Sequence, residues 1–137
     1  MVPNNPTIPD DHLIAIVDDD VSVRQSARRL IRSLGYRAEA FGSPEEFLDS
    51  GQATKTACLI LDVRMPGMDG LGLQRHLADS GPPIPIVFIT ARASDEEERR
   101  ALQAGAVAFL RKPVDKEALL RALRAALQSS ASHGRKP

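Results

Sequence analysis

A single cysteine, Cys58, in 137 residues excludes an intramolecular disulfide framework and removes the thiolate zinc sites. It makes the cytoplasm the expected compartment. Eighteen Lys+Arg against eighteen Asp+Glu leave a formal net charge of zero, so there is no bulk basic surface to grip nucleic acid or an acidic membrane. No apolar stretch approaches the roughly 18 residues of a membrane span. The longest runs, Leu13–Val17 and residues 84–89, have the length of strands. The first residues carry Pro3, Pro6 and Pro9 among polar neighbours and lack the basic start and apolar run of a signal peptide. Residues 1–11 are therefore expected to be a disordered tail. No internal repeat or low-complexity segment is present. What remains, 42% hydrophobic and 26% charged, is the composition of a chain that folds on its own, and its length allows one domain.

Leu-Ile-Ala-Ile-Val at Leu13–Val17 stops abruptly in Asp18-Asp19-Asp20, the pattern of a strand buried on both faces. Ala27, Leu30, Ile31 and Leu34 then follow helical spacing, with Arg24, Arg28 and Arg32 on another side and Gly35 as the stop. Residues 36–41 alternate and predict a less apolar strand at an edge. Ser43-Pro44-Glu45-Glu46 combines an N-cap, a proline at the first helical position and a capping-box glutamate. Residues 57–61 form another apolar run, ending on Asp62. Pro66-Gly67-Met68-Asp69-Gly70 is turn chemistry, followed by a helix through Leu73 and Leu77 to about Ser80. A strand at 86–89 ends in Thr90, and Ser94 caps a helix with an acidic start that Gly105 stops. A fifth strand, 107–110, is expected to be buried and to end at Arg111-Lys112-Pro113. Asp115 caps a last helix with Leu120, Leu123 and Leu127 on one face, and residues 130–137 are expected to be a flexible tail. Five βα units in a row imply a doubly wound five-stranded parallel sheet with helices on both faces.

Ligands of such sheets sit at the carboxyl ends of the strands, and four of these ends carry reactive side chains: Asp18 with Asp19, Asp62, Thr90 and Lys112. Two carboxylates about 5 Å apart repel by roughly 3 kcal/mol at an effective dielectric of about 20, so three of them need a counterion. Oxygen-only ligands with access for water suit Mg²⁺, with Mn²⁺ as a substitute. An aspartate beside such an ion can accept a phosphoryl group as an acyl phosphate. Lys112 and the Thr90 hydroxyl supply a charge and a donor for the phosphoryl oxygens. The bland alternative for an aspartate after a strand is helix capping, and Asp20 is read that way. Capping does not explain Thr90 and Lys112 as well.

Val17-Asp18-Asp19-Asp20, Leu61-Asp62-Val63-Arg64-Met65-Pro66-Gly67-Met68-Asp69-Gly70, Ile89-Thr90-Ala91 and Arg111-Lys112-Pro113 together resemble the signature of two-component response regulator receiver (CheY-like) domains, nearest to the FixJ-like subgroup. The resemblance covers residues 12–129 and implies the flavodoxin/CheY-like fold, (βα)5 with strand order 2-1-3-4-5. It implies that Asp62 takes a phosphoryl group from a sensor histidine kinase or a histidine phosphotransfer protein, and that the chain catalyses only its own phosphotransfer and autodephosphorylation. It also implies Mg²⁺ ligation by Asp18, Asp19, Asp62 and the backbone carbonyl of Arg64, which makes the side chain at 64 unimportant. Thr90 turns toward the phosphoryl group, Lys112 pairs with it through a cis Lys-Pro segment, and Phe109 holds the aromatic switch position without a tyrosine hydroxyl. The output surface falls on residues 94–129, for a downstream protein target or a phosphorylation-dependent homodimer.

Three other readings have cheap discriminators. A haloacid-dehalogenase type phosphohydrolase needs a second acid two residues after its nucleophile, where this chain has Arg64. A flavodoxin-like redox protein would place its flavin phosphate against Asp18-Asp19-Asp20, which repel it. Direct DNA binding needs a further domain, and nothing after residue 129 has the length of one. A stand-alone regulator is expected, with the receiver portion of a longer DNA-binding regulator as the alternative. Arg24, Arg28 and Arg32 suit an acidic partner and equally a solvated helix face. The 95–100 charge run is read as solvated, Cys58 as core, and His12, His76 and His133 have no partner at metal-ligand spacing.

Overall fold

The computed structural model describes residues 13–134, with side chains as far as residue 128. The expected tail at 1–11 and the last three residues lie outside it. Chain order is β1 (Leu13–Val17), α1 (Val21–Ser33), β2 (Arg37–Phe41), α2 (Pro44–Asp49), a 3-10 turn (Ala53–Lys55), β3 (Thr56–Leu61), α3 (Gly70–Ser80), β4 (Ile86–Thr90), α4 (Asp95–Gln103), β5 (Ala108–Arg111) and α5 (Lys116–Gly134). The strands form one parallel sheet in the order β2-β1-β3-β4-β5.

Side chains of a strand alternate between faces, and here both faces are apolar because helices cover both. Ala15, Val17, Leu59, Leu61 and Phe88 pack with Phe47 of α2, Leu71, Leu73 and Leu77 of α3 and Ala101 of α4. Ile14, Ile16, Cys58, Ile60 and Val87 pack with Ile31 of α1 and with Leu119, Ala122, Leu123 and Ala126 of α5. Complete burial of each aliphatic side chain contributes roughly 1.5–3 kcal/mol, and Cys58 is inert in this setting, its thiol pushed up to about 12 by burial.

Register then sets the site. Phe41, Val17, Leu61, Phe88 and Phe109 lie in one row across the sheet. Asp18 and Asp62 come one residue beyond that row, and the Asp62 N–H still donates to the Val17 carbonyl at 3.1 Å. Thr90 closes β4, and the Lys112 N–H donates to its carbonyl at 2.9 Å.

Four expectations change. Strand β5 is half-buried and lies at the sheet edge, because only β4 flanks it; Lys112 thus follows a partly exposed strand. The buried stripe of α5 is Leu119, Ala122, Leu123 and Ala126, whereas Leu120 and Leu127 are only half-buried. Small alanines define the face that lies against the sheet, and a search for large residues misses them. Helix α5 also continues to Gly134, since Ser129-Ser130-Ala131-Ser132 contains no breaker, so the expected tail is partly helical. At α2 the Ser43 hydroxyl caps Glu46 N–H at 3.0 Å, but the Glu46 carboxylate accepts from Gly42 N–H instead of closing the box on Ser43. The complete capping box belongs to Ser94 and Glu97 of α4.

Candidate functional site

Asp18 is buried, 4% exposed, and both of its oxygens are engaged. Oδ1 accepts from the Asp20 N–H at 3.0 Å, and Oδ2 accepts from Lys112 Nζ at 3.0 Å. The chain turn that carries Asp18 is held further by Arg24, whose Nη1 donates to the Asp18 carbonyl at 3.0 Å. Asp20 caps α1 through the Ser22 and Val23 N–H groups at 2.9 and 3.2 Å. Asp19 is exposed and lines an open cleft of about 350 Å³ with Arg64, Met65, Pro66 and Asp69.

Asp62 lies between these groups. Its side chain is 11% exposed, and Oδ2 stands 3.9 Å from Lys112 Nζ. Its Oδ1 is buried and has no hydrogen-bond partner. Carboxylate oxygens of Asp18, Asp19 and Asp62 all come within 4.8 Å of one another. Burial is the main cause that raises the Asp62 carboxyl above its ordinary 3.8; Asp18 adds to the rise, while the Thr90 hydroxyl, Lys112 and the Arg64 N–H oppose it. Thr90 is 1% exposed. Its hydroxyl donates to the Arg92 carbonyl at 3.0 Å and accepts from the Arg92 N–H at 3.3 Å. Phe109 lies 5.7 Å from Phe88, ring centre to ring centre, under the guanidinium of Arg111. The Lys112–Pro113 bond is cis.

The strand ends singled out in the sequence therefore do meet. Other roles differ from expectation. The Arg64 side chain is engaged, its Nη2 donating to Glu97 Oε1 at 2.8 Å. Arg111 Nη2 likewise pairs with Glu98 at 2.8 Å, and Glu96 pairs with Arg99, so the 95–100 run, largely exposed as expected, is also laced by surface ion pairs. Arg28 Nε and Arg32 Nη2 donate to the Ala38 carbonyl at 3.3 and 3.4 Å. Those two side chains tie α1 to the edge strand β2, an acceptor that helical spacing alone does not reveal.

Gly70 does more than its turn chemistry indicates. A Cβ there would meet the Asp62 carbonyl oxygen at 2.1 Å, and its N–H donates to Val63 O at 2.9 Å. The start of α3 thus lies directly on the backbone that presents Asp62.

A doubly wound sheet in this order, with clustered carboxylates after β1 and β3 and a lysine after β5, defines a CheY-like fold. The chain belongs to the response regulator receiver domain family, which it matches over residues 14–124. It is 44% identical over 118 residues to the response regulator protein TmoT of Ectopseudomonas mendocina, covering 86% of this chain and 54% of that one. It is 35% identical over 128 residues to the transcriptional regulatory protein FixJ of Azorhizobium caulinodans, covering 93% and 61%. The solved structure of the response regulator StyR superposes with a TM-score of 0.82 at 43% identity, covering 90% of this chain and 62% of that one. The chain spans about half the length of the first curated relatives it matches. Among the described residues no helix is long and apolar enough to cross a membrane.

Proposed function

We propose that Asp62 accepts a phosphoryl group from a phosphohistidine of a sensor kinase or phosphotransfer protein. The observation that carries this reading is the Asp62 Oδ1 atom, buried and without a hydrogen-bond partner in an acidic cluster that Lys112 reaches. In the transfer a carboxylate oxygen of Asp62 attacks phosphorus, the phosphorus–nitrogen bond breaks, and the imidazole leaves with the electron pair and takes up a proton.

Receiver domains bind Mg²⁺ at an acidic pocket, and the donors here fit a hard cation: three carboxylates with oxygens within 4.8 Å of one another, among them the buried Asp62 Oδ1, which accepts no hydrogen bond. Asp18, Asp19, Asp62 and the Arg64 carbonyl would hold the ion, which supplies positive charge to the phosphoryl oxygens. Asp18 keeps Lys112 Nζ at the site, in reach of Asp62. Thr90 exchanges its hydrogen bond to Arg92 for one to a phosphoryl oxygen. Phe109, lacking a hydroxyl, follows through packing alone, against Phe88 and under Arg111. The 94–129 face then changes its affinity for a downstream protein or a second copy of the chain. The domain acts as a switch without turnover of an external substrate, its chemistry limited to its own phosphorylation and dephosphorylation.

The folding unit under this reading is residues 12–129. The share of each relative that the chain covers favours a second reading for the whole protein, the receiver portion of a longer transcriptional regulator; the coding sequence beyond residue 137 distinguishes this from a stand-alone regulator.

With acetyl phosphate and Mg²⁺, intact-mass analysis is expected to show one phosphoryl addition, stable in acid and lost in base. Chelation of the metal or Asp62→Asn abolishes it. An equal addition to the Asn variant would refute the assignment.

A further inference from the structure

The N-terminal turn of α4 is held by two arginines, each beside a residue of the acidic site. Arg64, two residues after Asp62, donates from Nη2 to Glu97 Oε1 at 2.8 Å. Arg111, just before Lys112, donates from Nη1 to the Ala93 carbonyl and from Nη2 to Glu98, both at 2.8 Å. Glu97 is also the capping-box residue of α4, and the same Oε1 accepts from the Ser94 N–H at 2.9 Å. One carboxylate oxygen therefore joins the phosphoacceptor loop to the helix start. Glu97 is 17% exposed and Arg64 57%, so solvent reaches the pair from the arginine side and keeps its contribution modest.

The loop from Val63 to Gly70 has two other moorings. Gly70 N–H donates to Val63 O at 2.9 Å, and Met68 N–H donates to Glu45 Oε2 of α2 at 3.2 Å. The first closes the two ends of the loop on each other, and the second holds its far end to α2. Toward α4, the tie is the Arg64 side chain, and that same residue borders the cleft that Asp19 lines.

We infer that Arg64 is a positioning residue, whose pairing with Glu97 fixes the main chain at position 64 for cation binding and thereby couples the acidic site to the start of α4. The inference rests on the proposed function in that it uses Mg²⁺ at Asp18, Asp19 and Asp62. By reciprocity, whatever the pair contributes to cation binding the cation returns to the pair.

Bare electrostatics and positioning predict opposite signs for one substitution. Arg64→Gln removes a positive charge beside carboxylates and, through charge alone, would tighten Mg²⁺. Positioning requires it to loosen. Glu97→Gln keeps an acceptor for the capping box, since glutamine serves there too, and removes only the ion pair. In calorimetric Mg²⁺ titrations at physiological ionic strength, Arg64→Gln and Glu97→Gln are each expected to weaken binding two- to fivefold. The double variant should be no weaker than the weaker single one, and Arg64→Lys should stay within twofold of wild type. Binding by Arg64→Gln as tight as or tighter than wild type, multiplication of the two single losses in the double variant, or a loss in Arg64→Lys equal to that in Arg64→Gln would each overturn the coupling. A wild-type chain without saturable Mg²⁺ uptake would overturn the functional reading, and the coupling with it.

Discussion

Gly70→Ala is expected to lose about 3 kcal/mol of stability, the upper end of what forced overpacking costs, and to melt about 10 °C below wild type. A methyl group at position 70 would stand 2.1 Å from the Asp62 carbonyl oxygen and 3.1 Å from Phe88 Cε1. Neither neighbour is the free end of a flexible chain: one is backbone at the end of β3, the other a ring that is fully buried. Relief requires moving α3 off the sheet or moving the backbone of Asp62, so the same variant should lose Mg²⁺ binding. Gly72→Ala, in the same helix, is the control. Its Cβ would meet Met68 Cγ at 3.1 Å and Asp69 Oδ1 at 3.3 Å. Both are side-chain atoms that can yield, and alanine returns up to about 1 kcal/mol of helix propensity. Thermal melts of the two variants are expected to differ widely despite identical chemistry. Equal melting temperatures would show that α3 does not rest on the Asp62 backbone.

Asp62→Asn is expected to reverse its rank order with wild type when Mg²⁺ is added. Without metal, the variant is the more stable by about 1 kcal/mol at neutral pH, a common gain when a strained functional group is neutralised. The cause is the raised folded-state pKa of Asp62, in which burial leads. Because the folded state holds that proton more tightly than the unfolded state, wild-type stability falls as pH rises from the ordinary 3.8 through the raised value, and levels off above it. The advantage of the Asn variant should thus vanish in acid and grow through that window. With Mg²⁺ at about 100 times its dissociation constant, wild type gains roughly 2.7 kcal/mol by mass action, and the variant, lacking a charged ligand, gains far less. Denaturant unfolding with and without Mg²⁺ checks the crossing. A wild type that is more stable than Asp62→Asn in metal-free buffer would remove the claim that the carboxylate is held at a cost.

Such a cost explains why the site was legible in the sequence. A parallel strand buried on both faces must be apolar throughout, so Leu13–Val17 and residues 57–61 stand out, and the acids that end them can only face the carboxyl edge. The order of the strands then brings Asp18, Asp62, Thr90 and Lys112 together, although up to 94 residues separate the partners in one ion pair. The parts that were not legible depend on reach and fit. Arg64 and Glu97 lie 33 residues apart and meet only because a long side chain reaches the start of α4, which leaves no periodic trace. The demand on Gly70 comes from a backbone oxygen, and backbone atoms carry no sequence signal. Ala122 and Ala126 set the buried face of α5 through their small size, and the partial burial of β5 follows from which strand happens to be last in the sheet.

The central claim is that one carboxylate, Asp62, receives the phosphoryl group. Borohydride reduction of the acetyl-phosphate-treated protein, followed by peptide mass mapping, tests it most directly, because an acyl phosphate is reduced to the alcohol and leaves homoserine where the aspartate stood. Homoserine at position 62, dependent on Mg²⁺, is the predicted result. Homoserine at Asp18 or Asp19 with Asp62 intact, or at none of the three under conditions that phosphorylate a known receiver, would contradict it.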